Sequence, residues 1–228
     1  MSSKRSAPKR SSAKSPSVLK PVTQKLNSLP FADKVTLGWF VIDAFTHLTI
    51  EFGYLYLALT TTAKESSSFM AKIWNEYARA DSRWNVRDEG IISVEMATVA
   101  VGVLCLFQIA GVFSGASWRH PLQIVISVCE LYGGWMTFAP EWFSNPPNQH
   151  LLVSVRGEDR GELLWIYLWF MNGLWVLVPI VMLWDSWAAL ARKSCAPPSR
   201  SIWWGIVALI SLYGVIVPAV LIRKISIF

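Results

Sequence analysis

Five stretches of almost uninterrupted apolar sequence run through this chain, and stretches of that length admit few folds. The first, Val35 to Leu59, reads VTLGWFVIDAFTHLTIEFGYLYLAL, 25 residues. At about 1.5 Å of helical rise per residue it covers the roughly 30 Å of a hydrocarbon layer. The others run from about Ile91 to Phe113, Pro121 to Ala139, Leu163 to Leu190 and Ile202 to Leu221. A bilayer offers no water to backbone polar groups, so such segments satisfy themselves as helices. No period-two alternation and no internal repeat competes with that reading. The expected fold class is all-α: a polytopic membrane helix bundle with five transmembrane helices.

Composition agrees. Hydrophobic side chains make up 53% of the 228 residues and charged ones only 16%, against about a quarter charged in ordinary soluble domains. Thirteen tryptophans suit a molecule whose rings sit where water meets hydrocarbon. A water-soluble enzyme with a single core is excluded. The net charge of +6 would fit a nucleic-acid binder, but eight of the 21 basic residues lie in the first 34 positions, so no nucleic-acid partner is expected. Residues 1–34 read as a disordered, basic, cytosolic tail that touches anionic membrane lipid. No apolar core with a small-residue cleavage site follows it, which speaks against a signal peptide. Residues 35–190 form the main membrane domain, 191–201 a linker containing Pro197-Pro198, and 202–228 an additional C-terminal transmembrane helix. With the N-terminus cytosolic, that side collects twelve Lys and Arg and the other nine, which is the expected bias. Cys105, Cys129 and Cys195 show no zinc or CxxC spacing and read as packing residues.

Ionisable residues inside spans are costly unless paired or facing a wet cavity, so each is a functional candidate. Asp43, His47 and Glu51 recur every four residues, which places them on one helix face that must point into the bundle. His47 and Glu51 are one turn apart, so the carboxylate can hold the imidazole and the pair can carry a movable proton. Glu95 is the sole charge of the second span and needs a partner or a proton of its own. Asn172 and Trp175, three apart on the fourth span, add an amide and an electron-rich ring that can face a cation. A histidine with carboxyls in a dry pocket is what carbon-acid chemistry requires, one group giving a proton and another taking one. Plainer readings stand beside these. His47 and Glu51 could form a structural interhelical hydrogen bond, Trp175 could be packing, and Glu130, in the third span, could be protonated against a neighbour. Asp185 and Glu141 read as interface residues. With no HExxH and no second inward His, no metal is expected.

The segments His47-Leu48-Thr49-Ile50-Glu51, Trp74 to Trp84 (WNEYARADSRW), Glu95-Met96-Ala97-Thr98 and Phe170-Met171-Asn172-Gly173-Leu174-Trp175 resemble, in order and spacing, the emopamil-binding protein family. These are sterol Δ8-Δ7 isomerases of the wider EXPERA group. The similarity covers about residues 36 to 190, so four of the five helices would form the EXPERA-like core. The resemblance implies a multi-pass enzyme of the endoplasmic reticulum membrane that shifts a sterol ring double bond without a cofactor, through protonation to a carbocation and deprotonation at a neighbouring carbon. His47, Glu51 and Glu95 would match the family's catalytic residues. Trp175, Asn172, Thr98 and Arg83 would match positions that stabilise substrate or cation, with Asp43 and Tyr132 as further pocket candidates. A sterol or other polycyclic lipid would be the substrate, cationic amphiphilic amines would act as inhibitors that imitate the cation, and a homodimer would be the family's assembly.

The chain also departs from that pattern, carrying a basic tail where the sterol isomerases have a spanning helix before the His and Glu, and adding a helix at the other end. That leaves open a paralogue acting on another polycyclic terpenoid. It also leaves open a non-enzymatic sterol- or amine-binding or trafficking protein, comparable to the sigma-2 receptor. A proton-coupled transporter would use the same buried carboxyls, but the sequence lacks inverted repeats and interrupted helices.

Overall fold

The computed structural model describes residues 19–152, 159–191 and 196–225. Short helix α1 (Leu19–Ser28) leads into the first long helix, α2 (Phe31–Thr60). After it come a short α3 (Phe69–Tyr77), α4 (Glu89–Ser114), α5 (Arg119–Phe143), α6 (Arg160–Ala191) and α7 (Arg200–Ile225). Five of these are long and apolar enough to cross a membrane. Their ends fall within a few residues of the apolar stretches, and side chains cap the starts of α3 and α4. The Ser68 hydroxyl accepts from the Ala71 N–H at 3.2 Å and Asp88 from the Ile91 N–H at 2.9 Å, satisfying donors that a helix start leaves orphaned. At the end of α4, Gly115 takes φ 73°, and the Ala116 N–H returns to the Gly111 carbonyl at 3.0 Å. Only glycine adopts that left-handed turn at no cost.

Two helices are not regular. In α2 the stretch Thr46–Glu51 is wound as a π-helix, and in α6 so is Leu163–Met171. Such wide turns cluster at functional sites, and here they fall on His47 and Glu51 and immediately before Asn172.

The basic tail needs a correction. Residues 1–18 lie outside the described residues, but α1 and the first turn of α2 occupy much of the rest of the segment read as disordered. Contacts that composition does not reveal hold it: Lys25 lies 5.7 Å from the centre of the Phe113 ring, and Lys34 donates to the Asn27 carbonyl at 2.9 Å. Of the 191–201 linker, residues 192–195, including Cys195, are outside the described residues.

The apolar interior divides in two. One core gathers Trp39, Phe40, Cys105, Ile126, Val178 and Met182 from four long helices. The other joins the end of α2 to the segment between α2 and α4, around Tyr54, Trp74, Tyr77, Trp84 and Tyr167. Trp74 and Trp84 stack at 4.7 Å between ring centres and Tyr77 meets Trp84 edge-on at 5.4 Å. This aromatic cap is tied down through Arg83, which donates to Asp81 at 2.6 Å and to the Thr137 carbonyl at 2.7 Å. The Ser82 N–H, in turn, donates to the His150 carbonyl at 3.1 Å. Outside, Trp165, Trp169, Trp187 and Val215 are each more than 60% exposed, a belt that only lipid would solvate without penalty.

Candidate active site

The site lies between the two cores. His47 is buried, and all its polar contacts are carboxyls. Its Nδ1 meets Glu51 Oε2, one turn along α2. Its Nε2 lies 3.0 Å from Asp43 Oδ1 and 2.9 Å from Glu130 Oε1 on α5. Each ring nitrogen faces an oxygen, so on either side the proton can sit on nitrogen or on oxygen. The four-residue spacing thus places Asp43, His47 and Glu51 together, though the π-wound turn, not a regular helix, holds the last two. Gly102 on α4 is what allows the approach of α2. A Cβ there would stand 2.7 Å from the Cβ of His47 and 3.1 Å from the Leu48 side chain.

Asp43 stands behind the histidine. Its Oδ1 accepts from the Trp175 indole N–H at 2.8 Å and its Oδ2 from the Cys105 thiol at 3.3 Å. The Trp175 ring lies 6.4 Å from the imidazole, flanked by Trp39 at 5.3 Å and Tyr213 at 5.4 Å. Asn172 donates to the Tyr77 hydroxyl at 3.1 Å and to the carbonyls of Tyr167 and Leu168, stitching the π-wound part of α6 to the aromatic cap. Burial pushes the Tyr77 phenol up from its ordinary pKa, so it stays a neutral hydroxyl.

In front of the histidine opens a cavity of about 1030 Å³. His47, Glu51, Glu95, Thr98, Glu130, Tyr132, Asn172 and Trp175 reach it, and the rest of its wall is mostly aliphatic and aromatic. Glu95 is 4% exposed, and its Oε2 has no hydrogen-bond partner among the described residues. A buried carboxyl oxygen without a partner is costly, so its place on the wall marks it as a group awaiting a ligand. Thr98 lines the wall but spends its hydroxyl on the Val94 carbonyl at 3.0 Å. Tyr132 lies at the rim, 63% exposed.

Two candidates stand elsewhere. Asp43 touches the cavity only through His47 and Trp175. Arg83 is not on the cavity wall: it is buried against Asp81, with Glu141 at 3.8 Å. Burial alone would lower its pKa, but the Asp81 carboxylate raises it above the ordinary value. Its place is under the aromatic cap, where its guanidinium donates to Asp81 and to the Thr137 carbonyl. Glu141, expected at an interface, belongs to the same buried clamp. Sequence reasoning undervalued Glu130, which shares the imidazole with Asp43. Its signal was available, as the sole charge of the third span, but its partner lies 83 residues away. One oxygen or nitrogen each from Asp43, His47 and Glu130 lie within 4.8 Å of one another, a spacing that could hold a metal ion. In the present arrangement each of those atoms serves a hydrogen bond.

Fold and site together define a class: a polytopic helical membrane protein with a histidine–carboxyl cluster at the head of a largely apolar cavity. The family model for EXPERA, the expanded EBP superfamily, matches residues 69–186, more than half the chain. The chain belongs to that superfamily. The matched range holds Glu95, Glu130, Asn172 and Trp175 and begins after His47 and Glu51. Among curated proteins, the chain is 32% identical to the 3-beta-hydroxysteroid-Delta(8),Delta(7)-isomerase of Cavia porcellus over 67% of its own length and 63% of that protein's. It is 29% identical to a probable enzyme of the same name from Arabidopsis thaliana, over 72% of this chain and 68% of the relative. To an isomeliandiol synthase of Melia azedarach it is 28% identical, over 68% of each. The chain thus spans just under two thirds of the guinea-pig protein's length.

Proposed function

We propose that the protein is an intramembrane isomerase that moves a ring double bond of a sterol from the Δ8 to the Δ7 position. The observation that carries this reading is His47 held among Asp43, Glu51 and Glu130 on the wall of a lipid-sized cavity that also receives the unpartnered Glu95 oxygen. The names of the curated relatives support the same class of reaction.

The chemistry needs only protons. One is added at C9 of the C8=C9 bond, a tertiary cation forms at C8, and the proton on C7 leaves to give C7=C8. No atom and no electron is gained, so acid–base groups suffice. Glu95 and the His47–Glu51 pair are the two proton carriers, because these reach the cavity from opposing helices. The Trp175 face and the nearby carboxyls stabilise the cation, a desolvated ring contributing about 2 kcal/mol. The apolar wall keeps out water that would capture the cation. An amphiphilic amine would imitate that cation and compete for the site. The compartment this reading implies is the endoplasmic reticulum membrane, with the N-terminus cytosolic.

The test is incubation of the purified protein with a Δ8-sterol in deuterated water, followed by mass spectrometry of the product. The expected result is a Δ7 product carrying one deuterium, lost in Glu95→Gln. A protein that binds cationic amphiphilic amines yet converts no sterol would overturn the sterol reading. It would favour the second one, a paralogue acting on another polycyclic terpenoid, to which the likeness to the Melia azedarach synthase points.

A further inference from the structure

We infer that the C-terminal helix α7 sets which lipids the cavity accepts, through the wall formed by Tyr213 and Val217. This rests on the cavity being the substrate site, and it concerns selection, not chemistry.

Tyr213, Gly214, Val217, Pro218, Leu221 and Ile222 all line the cavity. They recur at four-residue spacing and so form one face of the helix. The rest of α7 has little protein to touch: only 11% of its apolar window is buried, against 33–39% for the other four spans. Val215, two residues from Val217, is 69% exposed, while Val217 is 7% exposed. The helix is pinned at its two ends. At one, Trp203 and Ile206 are buried and Trp204 meets Phe31 at 4.7 Å. At the other, Arg223 donates to Glu162 at 2.7 Å and Lys224 to Asp159 at 2.9 Å. Between the pins, Tyr213 meets the rings of Trp175 and Phe170, and the face from Tyr213 to Ile222 forms one side of the cavity.

The division of labour supports the assignment. The acids and the imidazole of the wall come from α2, α4 and α5, and Asn172 and Trp175 from α6. The α7 face brings no ionisable group except the Tyr213 phenol, which meets the Trp175 ring edge-on. Changes of size on this face therefore alter the shape of the cavity and leave the proton carriers alone. The matched family range ends at residue 186, so this wall stands outside the segment that defines the superfamily. A wall of aliphatic groups and one phenol ring between two fixed ends suits a rigid, flat polycycle, whose outline it can accept or refuse. A slim, flexible chain would pass it.

The test compares two probes on the full-length protein in detergent: a fluorescent polyene sterol and dodecylamine, a slim cationic amphiphile. Val217→Phe is expected to weaken sterol binding at least tenfold and to leave dodecylamine within about threefold, the latter also reporting that the site is folded. Val215→Phe, the same change on the outer face, is expected to alter neither. Val217→Ala is expected to shift preference toward a bulkier 4,4-dimethyl sterol. Equal sterol affinity in Val217→Phe and the parent would overturn the inference, as would equal losses from Val217→Phe and Val215→Phe, or a parent that binds neither probe. If Val217→Phe loses the sterol but the parent gives no deuterated product, the wall stands and the isomerase reading falls.

Discussion

At the scale of single residues the site depends on how closely two helices can approach. The missing side chain of Gly102 is as much a part of the cluster as His47 itself. In Gly102→Ala the new methyl would lie 2.7 Å from the Cβ of His47. Both atoms are fixed to backbone, so a helix must shift, at a cost of about 1–3 kcal/mol. A shift of even 1 Å takes the imidazole out of line with Glu130 and with any substrate, which costs on the order of 100-fold in rate. The expected outcome is a folded protein with turnover of the Δ8-sterol reduced at least tenfold, read from initial rates alongside amine binding. Unchanged turnover would show that His47 tolerates displacement and is not a proton carrier. Much of this neighbourhood is legible in sequence, because charges in apolar helices are rare and a spacing of four is a statement of geometry. Asp43, His47 and Glu51 are found that way. Glu130 is harder, since nothing local says that its carboxyl crosses to α2. The place of Arg83 is not legible either, because a motif position carries no depth: here the arginine fastens the cap through Asp81 and the Thr137 carbonyl.

Elements hold the site through two sets of charges at the ends of the long helices and in the segments between them. The inner set is Asp81, Arg83 and Glu141, which joins the aromatic cap to α5. In Arg83→Ala, Asp81 and Glu141 would be left buried without their cation, and breaking a buried pair in this way costs about 3–5 kcal/mol. A lower thermal midpoint is expected, with amine affinity in the surviving folded protein close to that of the parent, because Arg83 is not on the cavity wall. A large loss of affinity at low temperature would place the arginine in the binding site after all. The outer set is Asp159 with Arg79 at 2.5 Å and Lys224 at 2.9 Å. Hydrogen bonds from Arg79 and Lys224 hold the Asp159 carboxyl down from its ordinary value of 3.8 to about 2. A carboxyl whose folded-state pKa is depressed adds stability above its unfolded value and loses it as pH falls through the folded one. Thermal midpoints should therefore carry a constant contribution from this contact between pH 8 and 5 and lose it from about pH 4 toward 2. Asp159→Asn should remove that part of the decline. An equal acid response in the variant would assign the decline to other carboxyls. The five spans are legible because length and hydropathy suffice to find them. The π-wound turns are not, since a widened turn is imposed by packing against neighbours. Nor is α1, whose few anchoring contacts lie on α2 and α4.

For the molecule as a whole, the cavity separates the two cores, and its wall takes residues from both: Trp74, Tyr77 and Tyr167 from one, Val101 and Trp175 from the other. A ligand that fills the space touches both at once. It should therefore raise the stability of the bundle as a unit. At a concentration 100 times its dissociation constant, a ligand that binds only the folded state stabilises by about 2.7 kcal/mol. The expected result with a saturating amphiphilic amine is one cooperative thermal transition moved upward by several degrees. Two transitions, of which only one moves, would mean that the ligand is gripped by one core alone. The same architecture explains why substrate choice and chemistry can diverge in such a fold. The polar cluster hangs from α2, α4 and α5, and its histidine is fixed by contacts to three carboxyls that tolerate little change. The inferred α7 wall sets aliphatic groups beside Tyr213, its outer residue Val215 is exposed, and one methyl group at a time can reshape it without adding or removing a proton carrier.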